Sequence, residues 1–169
     1  MATTTVQGRK ALMELLTNNS ITSRLIEHPA VFTVETMMEH LGDIQDGLVT
    51  KNLFLKDKKK KLWLLTAVHS KEVKLAELAK TVGAPGGLRF ADEAVMIEKL
   101  GVAQGCATPL AIFNDSGNDV RLIVDSDLLK EDTMVYSHPM ENTATLGMTS
   151  ADFRKFIEST KHEPIVVDL

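Results

Sequence analysis

The chain has one cysteine, one tryptophan and one tyrosine among its 169 residues, and aromatics make up only 5% of it. Cys106 on its own cannot close an internal disulfide, so stability must come from an apolar core, and a reducing compartment, the cytoplasm, is the expected location. Long apolar runs are missing as well. The longest stretch without a charge, 100–114, contains Gly101, Gln104, Gly105 and Pro109, which a membrane-spanning helix disfavours. Residues 1–7 are polar and Thr-rich and lack the apolar segment of an export signal. No P-loop occurs, because Gly83, Gly86 and Gly87 lack the spacing that brings a helix N-terminus onto a pyrophosphate. The five histidines, at 28, 40, 69, 138 and 162, include no i, i+4 pair around an acid of the kind a helical zinc site uses. Neither a metal nor a cofactor is expected, and neither an internal repeat nor an interdomain linker is visible.

What is present fits one globular domain spanning 1–169, since 44% hydrophobic and 25% charged residues are ordinary values for a chain that can hold its own core. The net charge is −4, but residues 51–61 carry six lysines against one aspartate, leaving 13 basic and 22 acidic residues, or −9, elsewhere. A cationic segment on an acidic body suits an end-on contact with a polyanion better than a groove along a duplex. A solvated hairpin turn at 58–61 explains the same lysines.

Apolar periodicity predicts a helix at 10–18, a strand at 31–34 and a helix at 35–41 closed by Gly42, with a turn at Gly47. Strands at 51–55 and 62–68 should pair across the lysine-rich turn, the second covered on both faces. Ser70 is the expected cap of a helix over 71–82 that Gly83 stops, and Pro85-Gly86 suits a type II turn. A helix at 92–100 ended by Gly101, a hairpin of strands 110–113 and 120–124 around the turn cluster 114–118, a strand at 134–137, a helix capped by Ser150 and a strand at 165–167 complete the reading. Helices and strands interleave while several strand pairs share tight turns, so the expected fold class is α/β of the α+β type with a mixed sheet.

Three places could carry chemistry. Lys51 shares a strand face with Leu53 and Leu55, while Asn52, Phe54 and Lys56 point to the other; a lysine on an apolar face either snorkels to water or sits desolvated at a pocket rim. In Gly105-Cys106-Ala107-Thr108-Pro109, small side chains leave backbone amides able to meet a carbonyl oxygen, although an ordinary connection between elements has the same composition. Cys106 among such neighbours reads as a small buried hydrophobe rather than a nucleophile. The cluster 137–143 offers His138 and Asn142 either as ligand contacts or as loop-capping groups.

The segments Lys51-Asn52-Leu53-Phe54-Leu55-Lys56-Asp57, Gly105-x-x-x-Pro109 and Ser137-His138-Pro139 occur in an order and spacing that resembles the prolyl-tRNA-synthetase-associated, YbaK/ProX-type editing domains, from about residue 28 to 169, and among these the free-standing alanyl-tRNA(Pro) deacylases. The resemblance implies a curved mixed β-sheet surrounded by helices. It implies hydrolysis of the ester joining alanine to the terminal adenosine of proline tRNA, with tRNA(Pro) mischarged with alanine as substrate and prolyl-tRNA synthetase as a candidate partner. Such an activity has a physical rationale, since a proline pocket excludes a smaller apolar amino acid by only about 1–3 kcal/mol per missing methylene. By position, Lys51 matches the family's essential lysine, expected to hold the aminoacyl end or the terminal phosphate, and Lys56 a lysine used in substrate binding. Gly105, Cys106, Ala107, Thr108 and Pro109 match the loop expected to position the ester carbonyl and support the oxyanion, with water as nucleophile and the substrate's ribose hydroxyl assisting. His138 matches a pocket histidine and Asn142 a weaker contact, while the Lys51-Asn52 pair favours the alanine-type branch. The alternatives are a noncatalytic module that binds tRNA or the synthetase, and a deacylase for seryl, threonyl or cysteinyl tRNA.

Overall fold

The computed structural model describes residues 8–30, 47–103 and 106–169. The sequence expectations for a strand at 31–34 and a helix at 35–41 lie outside these residues, as does Gly105. The described chain runs in the order α1 (Arg9–Asn18), β1 (Arg24–Glu27), β2 (Gly47–Asp57), β3 (Leu62–Val68), α2 (Leu75–Val82), β4 (Leu88–Phe90), α3 (Glu93–Leu100), a 3-10 helix (Pro109–Asn114), β5 (Val120–Asp125), a second 3-10 helix (Ser126–Leu129), β6 (Met134–Ser137), β7 (Ala144–Thr149), α4 (Ser150–Ser159) and β8 (Ile165–Val167). The strands form one mixed sheet in the order β1-β7-β6-β2-β3-β5-β8, with β4 paired to β2 off this path. None of the described helices is long and apolar enough to cross a membrane.

The centre is the antiparallel pair β2 and β3, in which Asn52 faces Thr66, Leu53 faces Leu65 and Leu55 faces Trp63. Every residue of β3 is buried, as apolar residues on both its faces predict for a covered strand, with Thr66 its one polar member. Alternation along the strands divides the core. Phe54, Leu64, Leu122 and Val124 join α1, α3 and α4 in the larger cluster on one face. Leu55, Trp63, Leu65, Ile123 and Val167 pack with α2 on the other. The lysine-rich segment is the hairpin turn between β2 and β3, organised by Asp57, whose Oδ1 accepts from the amides of Lys59 and Lys61 and whose Oδ2 accepts from Trp63 Nε1.

Four local expectations are corrected. Gly47 opens β2 instead of turning the chain. A Cβ there would lie 2.6 Å from the Tyr136 ring, and one at Gly147 2.3 Å from it, so two glycines make the slot for a fully buried tyrosine. The helix predicted from residue 71 starts only at Leu75. Lys71 is held outside it, its ammonium bridging Asp125 and Asp127 and its carbonyl accepting from Lys51 Nζ. Residues 110–113 are not a hairpin strand but part of the 3-10 helix, because Thr108 Oγ1 caps the Leu110 amide and Pro109 occupies the first turn. In consequence β5 pairs parallel with β3. At α4 the capping side chain is that of Thr149, which accepts from Asp152, and not Ser150, the first helical residue. The turn at Ala84-Pro85-Gly86-Gly87 is as expected, with Gly86 at φ 73° and the Gly87 amide reaching the Ala84 carbonyl.

Candidate functional site

Three sequence-distant segments converge where β2 and β6 run side by side. These two strands are parallel, with Val49 opposite Tyr136, and the next residues, Thr50 and Ser137, are joined hydroxyl to hydroxyl at 2.8 Å. Asn52 Nδ2 donates to Thr50 Oγ1, extending a polar chain from Ser137 through Thr50 to Asn52. The chain ends unsatisfied: among the described residues Asn52 Oδ1 is buried without a partner, as is Oγ1 of Thr66 across the pair. Buried polar atoms are nearly always hydrogen-bonded, so two orphans side by side mark a place that a ligand can complete.

A cleft of about 540 Å³ opens here, lined by Asn52, Leu53, Phe54, Phe90, Ala91, Asp92, Glu93, Met96 and Ala107. Ala107 brings the small-residue loop to the cleft wall. The preceding Cys106 is held by the backbone amide of Asn142, which ties this loop to the one after β6. Burial pushes the Cys106 thiol up, against the smaller effect of that amide, so it stays protonated and is a poor nucleophile. Thr108 and Pro109 are buried as the cap and first turn of the 3-10 helix, which gives them a supporting position. Lys56 stands on the same face of β2 as Asn52 and lies 3.9 Å from Asp92 at the cleft rim.

His138 follows β6 and donates from Nδ1 to the Ala144 carbonyl, 2.9 Å away. Burial holds its pKa below the usual imidazole value, opposed by that carbonyl and reinforced by His28, whose ring centroid is 6.4 Å away. The ring is therefore neutral at pH 7, with its proton on Nδ1 and a lone pair on Nε2.

Lys51 occupies the opposite face. Strand alternation sets it across from Ala67, on the side of α2, and its ammonium donates to the Lys71 carbonyl. It shares a face with Leu53 and Leu55, as the sequence predicts, but it does not line the cleft that Asn52 and Ala107 share. Thr50 and Thr66 were not singled out by sequence reasoning, and Ser137 only as part of the 137–143 cluster and the Ser137-His138-Pro139 motif. Their signal, polar residues on inward strand faces, is readable only once the register is known.

The fold and these segments define a class of protein. The sequence profile of the aminoacyl-tRNA editing domain matches residues 28–156, and the chain belongs to that family. The chain is 50% identical over 163 residues to prolyl-tRNA synthetase associated domain-containing protein 1 of Bos taurus, covering 95% of this chain and 94% of that one. It is 29% identical over 155 residues to the prolyl-tRNA editing protein ProX of Acetoanaerobium sticklandii, covering 91% and 93%. In fold it is similar to a hypothetical protein solved by crystallography, with a TM-score of 0.71 at 22% identity over 93% of this chain and 97% of that one.

Proposed function

We propose that the protein is a trans-acting hydrolase that removes alanine from mischarged alanyl-tRNA(Pro). The reading rests on one observation: Asn52 of β2, whose buried Oδ1 lacks a partner among the described residues, and Ala107 of the small-residue loop line one cleft, and the Asn142 amide ties the loop after β6 to the neighbouring Cys106. Water attacks the ester carbonyl, the bond to the ribose oxygen breaks, and free alanine and tRNA leave. The neighbouring ribose hydroxyl assists the leaving group, so no protein nucleophile is required, which agrees with a protonated Cys106.

The roles follow the resemblance and are part of the proposal. The loop at Gly105 to Pro109 supports the oxyanion, and a removed donor of that kind costs about 10²–10³ in kcat. His138 contacts the substrate through Nε2, with Asn142 beside it. Lys51 holds the aminoacyl end or terminal phosphate, and to do so its ammonium exchanges the Lys71 carbonyl for the substrate by swinging across the strand. Prolyl-tRNA synthetase, which supplies the mischarged substrate, is the proposed partner.

The test is a panel of tRNAs charged with alanine, serine, threonine, cysteine and proline, incubated with wild type and with Lys51→Ala. Rapid loss of the alanyl ester alone, slowed at least 10-fold by the substitution, is the expected pattern. Loss of another small aminoacyl ester would change the substrate, and equal rates would remove Lys51 from the mechanism. If every ester survives saturating protein while tRNA still binds, the chain is a noncatalytic binding module.

A further inference from the structure

Among the described residues the sheet has a gap one residue long, at Asn52 in the cleft wall. Along β2 each residue's N–H and C=O point to the same edge, alternating residue by residue. Two bonds fix which edge is which: the Val49 carbonyl accepts from His69, on the β3 side, whereas the Phe54 carbonyl accepts from Ala91, on the β4 side. Even-numbered residues of β2 therefore present their backbone away from β3. On that edge β6 is paired as far as Val49, with Thr50 held to Ser137, and β4 with its extension reaches only to Phe54. The chain then leaves the sheet, because α3 begins directly after Asp92. Between Thr50 and Phe54 the one residue facing this edge is Asn52, and no described residue pairs with its backbone N–H or C=O. Asn52, Leu53 and Phe54 all line the cleft, which three consecutive strand residues can do only when the cavity meets the strand edge-on.

We infer that this gap seats the amino acid of the substrate as a single-residue strand, its carbonyl oxygen accepting from the Asn52 N–H and its α-ammonium donating to the Asn52 C=O. In an antiparallel hydrogen-bonded pair two residues exchange both bonds, and an aminoacyl ester offers the same acceptor and donor at the same separation. The orphaned Asn52 Oδ1 adds an acceptor at the ammonium end. As negative charge develops on the carbonyl oxygen, the Asn52 amide becomes an oxyanion donor fixed by the strand. A peptide cannot use the edge, because β6 closes one side of the gap and Ala91 the other. The seat is specific for the α-amino acyl group and not for its side chain, so size selection falls to the surrounding wall at Phe54, Met96 and Ala107.

This inference rests on the deacylase reading but is tested separately from it. The probe is 3′-alanylamino-3′-deoxyadenosine, whose amide replaces the ester and resists hydrolysis, titrated into 15N-labelled wild-type protein. The expected result is a saturable downfield shift of the Asn52 backbone amide and slower exchange of its proton with solvent, with the Lys60 amide unmoved. The second arm replaces Asn52 with its α-hydroxy acid, which deletes one N–H and keeps the side chain; kcat/KM for the alanyl ester should fall about 10²-fold. Hydrolysis by wild type with an unmoved Asn52 amide, or a hydroxy-acid variant within about 2-fold of wild type, overturns the seat. A probe that shifts Asn52 in a protein that hydrolyses no ester supports the seat and removes the deacylase reading, while a probe that does not bind overturns the seat.

Discussion

At its C-terminal end β2 finishes in Asp57, a wholly buried carboxylate that accepts from the amides of Lys59 and Lys61 and from the Trp63 indole. Five residues earlier, Asn52 has a buried side-chain oxygen and a backbone N–H and C=O that no described residue pairs. Both are polar residues in the same strand, and both are flanked by lysine. The difference is whether the fold supplies the partners. At Asp57 both carboxylate oxygens are bonded, and the result is an organised turn; at Asn52 only Nδ2 finds a partner among the described residues, beside a cleft. Polar residues of the first kind hold the structure and those of the second kind are available to a ligand, which predicts opposite consequences for their removal.

The largest effect is expected at the satisfied end. Asp57→Ala strips three donors of a charged acceptor, and denaturant unfolding should show a loss of about 3 kcal/mol or more, while deacylation at low temperature stays close to wild type. A second satisfied carboxylate, Asp115, sharpens the comparison. Its Oδ2 meets His162 Nε2 at 2.9 Å and also accepts from the Val120 amide, while Oδ1 accepts from Asp119. The His162 bond and the two amides hold its pKa below the ordinary carboxylate value, outweighing burial. A depressed folded pKa contributes stability that is complete above the unfolded value of about 3.9 and is lost as pH falls through the folded one. Asp127, held down to about 2 by Lys130 and then Lys71, titrates in the same acid range, so the comparison needs a variant. Asp115→Asn should lose about 2 kcal/mol at pH 7 and show a shallower decline than wild type below pH 4 in thermal unfolding; an unchanged slope would separate Asp115 from acid sensitivity.

At the open end the pattern should invert. Asn52→Ala removes an unpaired oxygen and one hydrogen bond to Thr50, whose hydroxyl keeps Ser137, so unfolding free energy should fall by only about 1 kcal/mol while kcat/KM for the alanyl ester falls about 10-fold, equivalent to about 1.4 kcal/mol. A stability loss as large as that at Asp57 would end the distinction between the two regions. The smallest effect is expected among the lysines. Lys56, near Asp92 at the cleft rim, should matter more than Lys60 in the solvated turn, with Lys56→Ala raising KM about 3-fold at physiological salt and Lys60→Ala doing so only at low salt, where diffuse attraction is unscreened.

Local chemistry made part of this architecture readable in advance. Apolar residues on both faces of β3 announce a strand covered on both sides, and Gly83 and Gly101 do end their helices in the left-handed conformation. Other features depend on partners remote in sequence. Residues 71–74 have helical composition, yet Lys71 is drawn out to Asp125 and Asp127. β4 is three residues long, and β7 carries Gly147 where the Tyr136 ring needs room, so neither has a strong strand signal. The candidate site divides in the same way. Its segments carry motifs and were visible, including the opposite facing of Lys51 and Asn52. The open edge was not, because it is made by where β6 stops and where β4 turns into a helix.

The most direct measurement is the rate at which wild-type protein clears alanyl-tRNA(Pro) beside correctly charged prolyl-tRNA(Pro) in one reaction. Fast loss of alanine with proline retained is the predicted result, because the proline ring removes an ammonium proton and adds bulk at the seat opposite Asn52. Equal loss of both, or survival of both at saturating protein, would contradict it.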